Sequence, residues 1–142
     1  MEARKNLKNC RRIVVKVGSS TITHDSGLIN ISRLEKLARE LADLHNEGRE
    51  VLLVTSGAVA AGVGRLGHRD YPKTLPLKQA LAAIGQGTLL HLYEKFFAEY
   101  GKDIAQVLLT KDDFDERLRY LNARNTLTTL LQLGAIPVIN EN

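Results

Sequence analysis

Four short apolar runs, separated by segments with helical patterns, constrain the fold of this chain more than any other feature. The runs cover residues 13–17, 51–55, 104–109 and 136–139. They are too apolar for strands that keep one face in water, and the segments between them are long enough for helices. Strands that alternate with helices form parallel sheets. The sequence therefore predicts an α/β fold with a parallel sheet and helices on its faces.

The segments between the runs carry helix signals of different strength. Residues 30–46 place four leucines on one stripe, with Ser32 and Glu35 in a capping-box pattern at the start. A short helix opens at "SGAVAAG", and residues 112–133 are helical, in two pieces. Residues 77–100 form a long helix that Gly85 and Gly87 interrupt. Each interior glycine lowers helix stability by about 1 kcal/mol relative to alanine, which indicates close backbone contact with a neighbour there.

Composition and charge limit the classes of function. The 142 residues suffice for one domain, 44% are hydrophobic and 25% charged, and the net charge is +4 with a pI near 9.3. Residues 1–11 form a basic leading segment, for which a solvated face is a better explanation than a nucleic-acid arm, because no exposed aromatics interleave with the arginines. One cysteine, Cys10, is typical of a cytoplasmic protein. Neither a membrane span nor a signal peptide is predicted.

Polar residues follow every predicted strand at the edge where parallel sheets bind ligands. The four exits read Gly18-Ser19-Ser20, Thr55-Ser56-Gly57, Thr110-Lys111 and Asn140-Glu141-Asn142. Glycine beside serine at a turn that opens a helix exposes backbone N–H groups to an anion. The exits together favour an anion-binding edge.

Lys16 is a charged residue inside the otherwise apolar run "IVVKV". An ammonium followed by Gly-Ser-Ser could surround a phosphate with positive charge and N–H donors. The alternative is an edge-strand lysine that prevents aggregation, and the residues alone leave both open. For Ser56, the corresponding choice is between holding a carboxylate and simply capping a helix.

Several patterns that suggest other chemistry have better explanations. Residues 62–67 match G-x-G-x-x-G but lie at the end of a helix, where a dinucleotide fingerprint does not occur. The acids of "KDDFDER" are favoured by a helix dipole rather than by a metal. The four histidines are scattered without ligand spacing, so no metal site is predicted. Neither a P-loop nor a G-x-S-x-G elbow is present.

Five motifs occur in one order: "IVVKVGSS", "VLLVTSGAVAAG", "KQALAAIGQG", "YLNARNTL" and "GAIPVINEN". Together they resemble the amino-terminal half of the bacterial glutamate 5-kinase family, within the amino acid kinase superfamily. The resemblance implies an α/β/α sandwich, with residues 12–142 as its amino-acid-binding lobe. It also implies a reaction in which ATP, with Mg²⁺, phosphorylates the side-chain carboxylate of L-glutamate, the first step of proline biosynthesis.

The resemblance also implies roles for individual residues. Lys16 would contact the ATP phosphates and stabilise charge on the transferred phosphoryl group, and Gly18 and Ser19 would add phosphate contacts. The glutamate would be held by four residues: Ser56, Gly57, Asn140 and Asn142.

The resemblance implies further that the chain is truncated. In the family, the "NEN" motif continues into an aspartate, a Gly-Asp-Asn-Asp loop, a nucleotide-binding lobe that supplies most of the Mg²⁺ and ATP contacts and, in many members, a PUA domain. The 142 residues alone are therefore expected to be inactive. Family members form homo-oligomers and are inhibited by proline. The truncation and this inhibition together motivate an alternative function, a non-catalytic module that binds glutamate or proline.

Overall fold

The computed structural model describes residues 2–67 and 72–140 and contains one sheet of four parallel strands. The strands are β1 (Arg12–Val17), β2 (Glu50–Thr55), β3 (Ile104–Leu108) and β4 (Ile136–Asn140), in the spatial order β1-β2-β4-β3. The helices are α1 (Glu2–Leu7), α2 (Ser19–Ile22), α3 (Ile31–Asn46), α4 (Ala58–Leu66), α5 (Leu75–Glu99), α6 (Lys111–Asp115) and α7 (Arg117–Gln132). The predicted α/β class with a parallel sheet is confirmed.

The path of the chain through the sheet determines where the helices lie. α3 and α5 pack against each other, and α3 also contacts β2. From β2 the chain crosses to the far edge at β3 and then returns to β4 through α6 and α7. Because crossovers between parallel strands are right-handed, this reversal directs α7 to the opposite face, where it contacts β4. β4 is buried along its whole length as a result.

The core lies between the sheet and the α3–α5 pair. Leu34 and Leu41 of the predicted stripe on α3 are fully buried, and Leu37 and Leu44 pack against the same cluster while remaining partly exposed. The sheet contributes Val51, Leu53, Ile136 and Val138. From α5, Tyr93 and Phe97 fill the centre.

The start of α3 differs from the prediction. Asn30 caps the helix, and its side-chain oxygen accepts a hydrogen bond from the N–H of Arg33 at 3.2 Å. The capping box predicted for Ser32 and Glu35 is therefore wrong. Glu35 accepts a 2.6 Å hydrogen bond from the hydroxyl of Tyr100 instead, which ties α3 to the end of α5.

The acidic segment after β3 begins a helix, as predicted. Asp112 and Asp113 lie in the first turn of α6, and the Asp113 carboxylate accepts hydrogen bonds from the N–H and the hydroxyl of Thr110, at 2.6 and 3.0 Å. These two bonds, the backbone one first, hold the pKa of Asp113 below its usual value. The break at Glu116 divides the helical region into α6 and α7, which confirms the prediction of two pieces.

The basic leading segment contains α1, which buries none of its residues. Its end is held by Arg49, whose guanidinium donates hydrogen bonds to the carbonyls of Leu7 and Lys8, at 3.0 and 2.6 Å. Throughout the described residues, the helices lack the combination of length and hydropathy that a bilayer-spanning segment needs.

α4 and α5 touch through their backbones, and glycine makes this possible. A Cβ on Gly85 would overlap the carbonyl oxygen of Ala58, and a Cβ on Gly62 would overlap that of Leu81. Gly64 lies in the same way against the carbonyl of Gly27. The G-x-G-x-x-G pattern is thus a packing feature of α4, not a nucleotide loop.

The two glycines of α5 do not share one role. The close contact expected at Gly85 is confirmed, but it is wrong for Gly87, where an added Cβ would meet nothing within 4 Å. Gly87 lies away from both ends of α5, on a solvent-exposed side of the helix.

A buried hydrogen bond joins α5 to the carboxyl end of β2. The hydroxyls of Tyr93 and Thr55 lie 3.0 Å apart, and both side chains are fully buried. Burial raises the pKa of Tyr93 to about 12, an effect that the bond to Thr55 partly offsets. Tyr93 is therefore neutral at physiological pH. Its hydrogen bond to Thr55 fixes the position of α5 along β2.

Alanine substitutions at the two glycines of α5 test the helix contact. We expect Gly85→Ala to lower the free energy of unfolding by about 1–3 kcal/mol, because α4 and α5 must separate to admit the methyl group. The matched Gly87→Ala should raise it by up to about 1 kcal/mol through helix propensity. Denaturant unfolding of the complete gene product measures both. Equal effects of the two substitutions would contradict the contact.

A double-mutant cycle tests the buried hydroxyl pair. Tyr93→Phe and Thr55→Val should each lower the free energy of unfolding by about 1–3 kcal/mol, because each leaves the other hydroxyl poorly partnered in the core. The double variant should lose at least about 0.5 kcal/mol less than the sum of the single losses. Strict additivity in denaturant unfolding would show that the bond contributes nothing.

Candidate functional site

A cleft of about 740 Å³ opens beyond the carboxyl ends of the strands, between the start of α4 and one face of α5. Its lining includes Ser19, Ser56, Gly57 and Asn140, four of the residues that the sequence analysis selected. α5 contributes its first turns on the opposite side. The structure thus brings three of the four predicted strand exits to one concave surface.

Gly57 brings the exits of β1 and β2 into contact. Its φ of 99° lies in the left-handed region, which favours glycine. A Cβ there would also lie 3.1 Å from the Cα of Ser19 and 3.1 Å from the end of the Ile22 side chain. Both the turn and the packing therefore require glycine at position 57, and Ser19 lies directly against the β2–α4 turn.

Ser56 is fixed by β1, not by the helix that follows it. Both its N–H and its hydroxyl donate to the carbonyl of Val17, at 3.1 and 3.2 Å. The N-cap of α4 is Gly57. The simpler interpretation of Ser56 as a helix-capping serine is therefore wrong. With its proton directed at Val17, the oxygen of Ser56 keeps its lone pairs for a hydrogen-bond donor in the cleft.

Asn140 is the last residue of β4 and occupies the middle of the sheet edge. It pairs in register with Thr55 of β2 and with Leu108 of β3, and it is 5% exposed. An amide carries both donor and acceptor groups, so Asn140 is a candidate ligand residue at the border of the cleft. Glu141 and Asn142, the rest of the "NEN" motif, lie outside the described residues.

The first turn of α4 gives the cleft positive character. Ala58, Val59 and Ala60 line it, and the N–H groups of a first helical turn have no acceptor within the helix. The helix dipole adds partial positive charge at the same place. This wall of the cleft therefore suits a carboxylate or a phosphate.

Lys16 and Gly18 lie near the cleft without lining it. Lys16 is exposed on β1, an edge strand of the sheet, and its side chain shares one strand face with Val14. Gly18 has a φ of −85°, and a Cβ there would meet nothing within 4 Å. Neither conformation nor packing requires glycine at position 18, and the open space beside it would admit a ligand.

Two lining residues of α5 were missed by the sequence analysis. Lys78 lies one turn into the helix, and Gln86 lies two turns further on the same face. The side-chain oxygen of Gln86 is buried, and no hydrogen-bond partner for it lies in the described part of the chain. The signal for both was a polar residue within the apolar motif "LKQALAAIGQG" at a spacing of eight, which places them on one helical face.

The described lining of the cleft contains no carboxylate. Across residues 2–67 and 72–140, no three His, Cys, Asp or Glu side chains are grouped so that they could hold a metal ion. We therefore assign none of the described residues to a metal.

Comparisons with known proteins give a consistent result. The Amino acid kinase family matches residues 11–142. The chain is similar to a protein named glutamate 5-kinase from Moorella thermoacetica, with 59% identity over 141 residues, which are 99% of this chain and 37% of that protein. It is 62% identical to the glutamate 5-kinase of Caldanaerobacter subterraneus subsp. tengcongensis over 131 residues, 92% of this chain and 35% of that protein. For the glutamate 5-kinase of Clostridium acetobutylicum, identity is 53% over 138 residues, 97% of this chain and 52% of that protein.

The chain spans between a third and about half of the length of these curated relatives. The family match, in contrast, runs from residue 11 to residue 142 and includes every strand of the sheet and the whole described cleft. The protein belongs to the amino acid kinase family.

Proposed function

We propose that the gene product carrying these 142 residues is a glutamate 5-kinase, which uses ATP to phosphorylate the side-chain carboxylate of L-glutamate in the first step of proline biosynthesis. The observation that carries the proposal is the name shared by three relatives that are 53–62% identical to nearly the whole chain. The cleft supports it independently, because a helix N-terminus, an amide and a hydroxyl surround a space suited to a small anionic molecule.

In this proposal the cleft holds glutamate by hydrogen bonds that the fold has already oriented. The N–H groups at the start of α4 bind one carboxylate of the substrate. Asn140 contributes its amide from the centre of the sheet edge, and Ser56 offers the lone pairs of its oxygen. Asn142 completes the pocket as a further proposed ligand. Because these groups are fixed by β1, β4 and α4, little reorganisation is needed when the substrate binds.

The phosphate side of the proposed reaction lies at the exit of β1. Lys16 stabilises the negative charge of the transferred phosphoryl group, while Gly18 and Ser19 permit close approach of the ATP phosphates. ATP supplies the phosphoryl group as the second substrate, with Mg²⁺ as the expected counter-ion. Phosphoryl transfer needs positioning and positive charge rather than a covalent catalyst, which agrees with a cleft that contains no activated nucleophile among its described residues.

Further properties belong to the same proposal. Residues 12–142 form part of an amino acid kinase domain that follows the basic segment 1–11. The enzyme acts in the cytoplasm, forms a homo-oligomer and is inhibited by proline, the end product of the pathway whose first step it catalyses. None of these properties involves nucleic acid or a membrane.

Removal of the charge of Lys16 tests the phosphate side. We expect Lys16→Met in the complete gene product to lower kcat for ATP-dependent glutamyl hydroxamate formation by about 10²–10³-fold, because a preorganised positive charge at the transferred group is lost. The control is Lys36→Met, which removes an exposed lysine of α3 and should keep full activity. A Lys16→Met enzyme with near-normal kcat would contradict this role and favour the edge-protecting lysine.

Ser56→Ala tests the glutamate side in the same assay. We expect KM for glutamate to rise about tenfold, because one hydrogen bond of roughly 1.4 kcal/mol to a charged substrate is lost, and KM for ATP to stay unchanged. Ser32→Ala is the control, because Ser32 is exposed on α3 and does not cap that helix. If only KM for ATP changed, Ser56 would act on ATP rather than on glutamate, and its proposed role would be wrong.

A further inference from the structure

The described wall of the cleft contains one charged side chain, that of Lys78. The other residues that line the described part of the cleft are neutral. L-Glutamate carries two carboxylates and one ammonium at neutral pH, so it brings a net negative charge into this space. A second centre of positive charge, besides the helix N-terminus, would match the second carboxylate with a charge-assisted hydrogen bond.

The backbone contacts between α4 and α5 determine where Lys78 lies. Gly85 abuts the carbonyl of Ala58, and Gly62 abuts that of Leu81, so α5 cannot slide or rotate against α4. Lys78 precedes Gly85 by seven residues and therefore lies about 10 Å along the helix axis from the Ala58 contact. Lys78 and the first turn of α4 thus supply positive charge from two separate parts of the same cleft.

The helix face between these positions leaves room for a ligand. Ala82 and Ala83 are the residues of α5 that line the cleft between Lys78–Gln79 and Gln86. Their small side chains keep that stretch of the wall open. The backbone N–H of Lys78 donates to the carbonyl of Thr74 at 3.0 Å, which fixes the first turn of α5. Lys78 lines the cleft and is exposed.

From this arrangement we infer that Lys78 binds the carboxylate of the substrate that is not phosphorylated, and thereby selects an amino acid with two carboxylates. The inference rests on the proposed function and adds a residue to it. Where the bound substrate displaces water from around Lys78, the ammonium–carboxylate attraction becomes stronger than between fully exposed charges. Lys78 thus contributes to substrate specificity while Lys16 acts on the phosphoryl group.

The test compares two substrates in the complete gene product. 4-Aminobutyrate keeps the ammonium and the reacting carboxylate of glutamate but lacks the second carboxylate. We expect Lys78→Met to lower kcat/KM for L-glutamate by about 10–100-fold, mostly through KM, and to change kcat/KM for 4-aminobutyrate by less than about threefold. Lys78→Arg, which keeps a cation, should retain most of the preference for glutamate.

Two controls separate this role from a structural one. Lys95→Met removes an exposed lysine from the same helix outside the cleft and should change neither substrate. Because Lys78 is exposed, the thermal unfolding midpoint of Lys78→Met should match that of the wild type. An equal loss for both substrates, or no loss for glutamate, would overturn the inference.

Failure of the proposed function is distinguishable from failure of this inference. If the wild type forms no phosphorylated product from glutamate, the kinase proposal fails, and calorimetry with the same two amino acids decides the role of Lys78. Weaker glutamate binding by Lys78→Met with unchanged 4-aminobutyrate binding supports it, and unchanged glutamate binding overturns it.

Discussion

The backbone contact between α4 and α5 is the constraint on which the site depends. Two helices that carry side chains at their crossing keep their axes 8–10 Å apart, whereas glycine at the crossing permits a closer approach. Gly62 and Gly85 provide that approach here, each against a carbonyl of the other helix. Since α4 begins at the exit of β2, the contact also fixes α5 relative to the sheet. The cleft is the space that this rigid pair leaves beyond the strand ends.

A second set of contacts connects the strand exits to that pair. Gly57 adopts a left-handed conformation against Ser19, and Ser56 donates twice to the carbonyl of Val17. Beneath them, the hydroxyls of Thr55 and Tyr93 join β2 to α5 inside the core. Ser56 and the Gly57 turn therefore rest on backbone and buried contacts. This is the preorganisation that electrostatic catalysis requires.

Much of the fold follows from local sequence, and the errors have physical causes. The β-branched runs predict all four strands, and the leucine stripe predicts the buried face of α3. The predicted capping box failed because Asn30, whose N–H donates a 2.8 Å bond to the carbonyl of Ile22, caps α3 two residues before Ser32, which leaves Ser32 inside the first turn. Gly85 and Gly87 look alike in sequence, but they lie about 200° apart around the helix, and only Gly85 faces α4.

The candidate site also combines residues that local sequence predicts with residues whose position depends on tertiary packing. Strand exits could be predicted because parallel sheets place them together, and Ser19, Ser56 and Asn140 do meet at the cleft. The spacing of Lys78 and Gln86 places them on one face of α5, but it does not show that this face lines the cleft, because that depends on the packing of Gly85 against α4. The buried side-chain oxygen of Gln86 has no hydrogen-bond partner among the described residues, and burial of such a group without a bond typically costs about 1–3 kcal/mol. Departures from complete hydrogen bonding occur at functional sites, so Gln86 places this face of α5 with the strand exits in the candidate site.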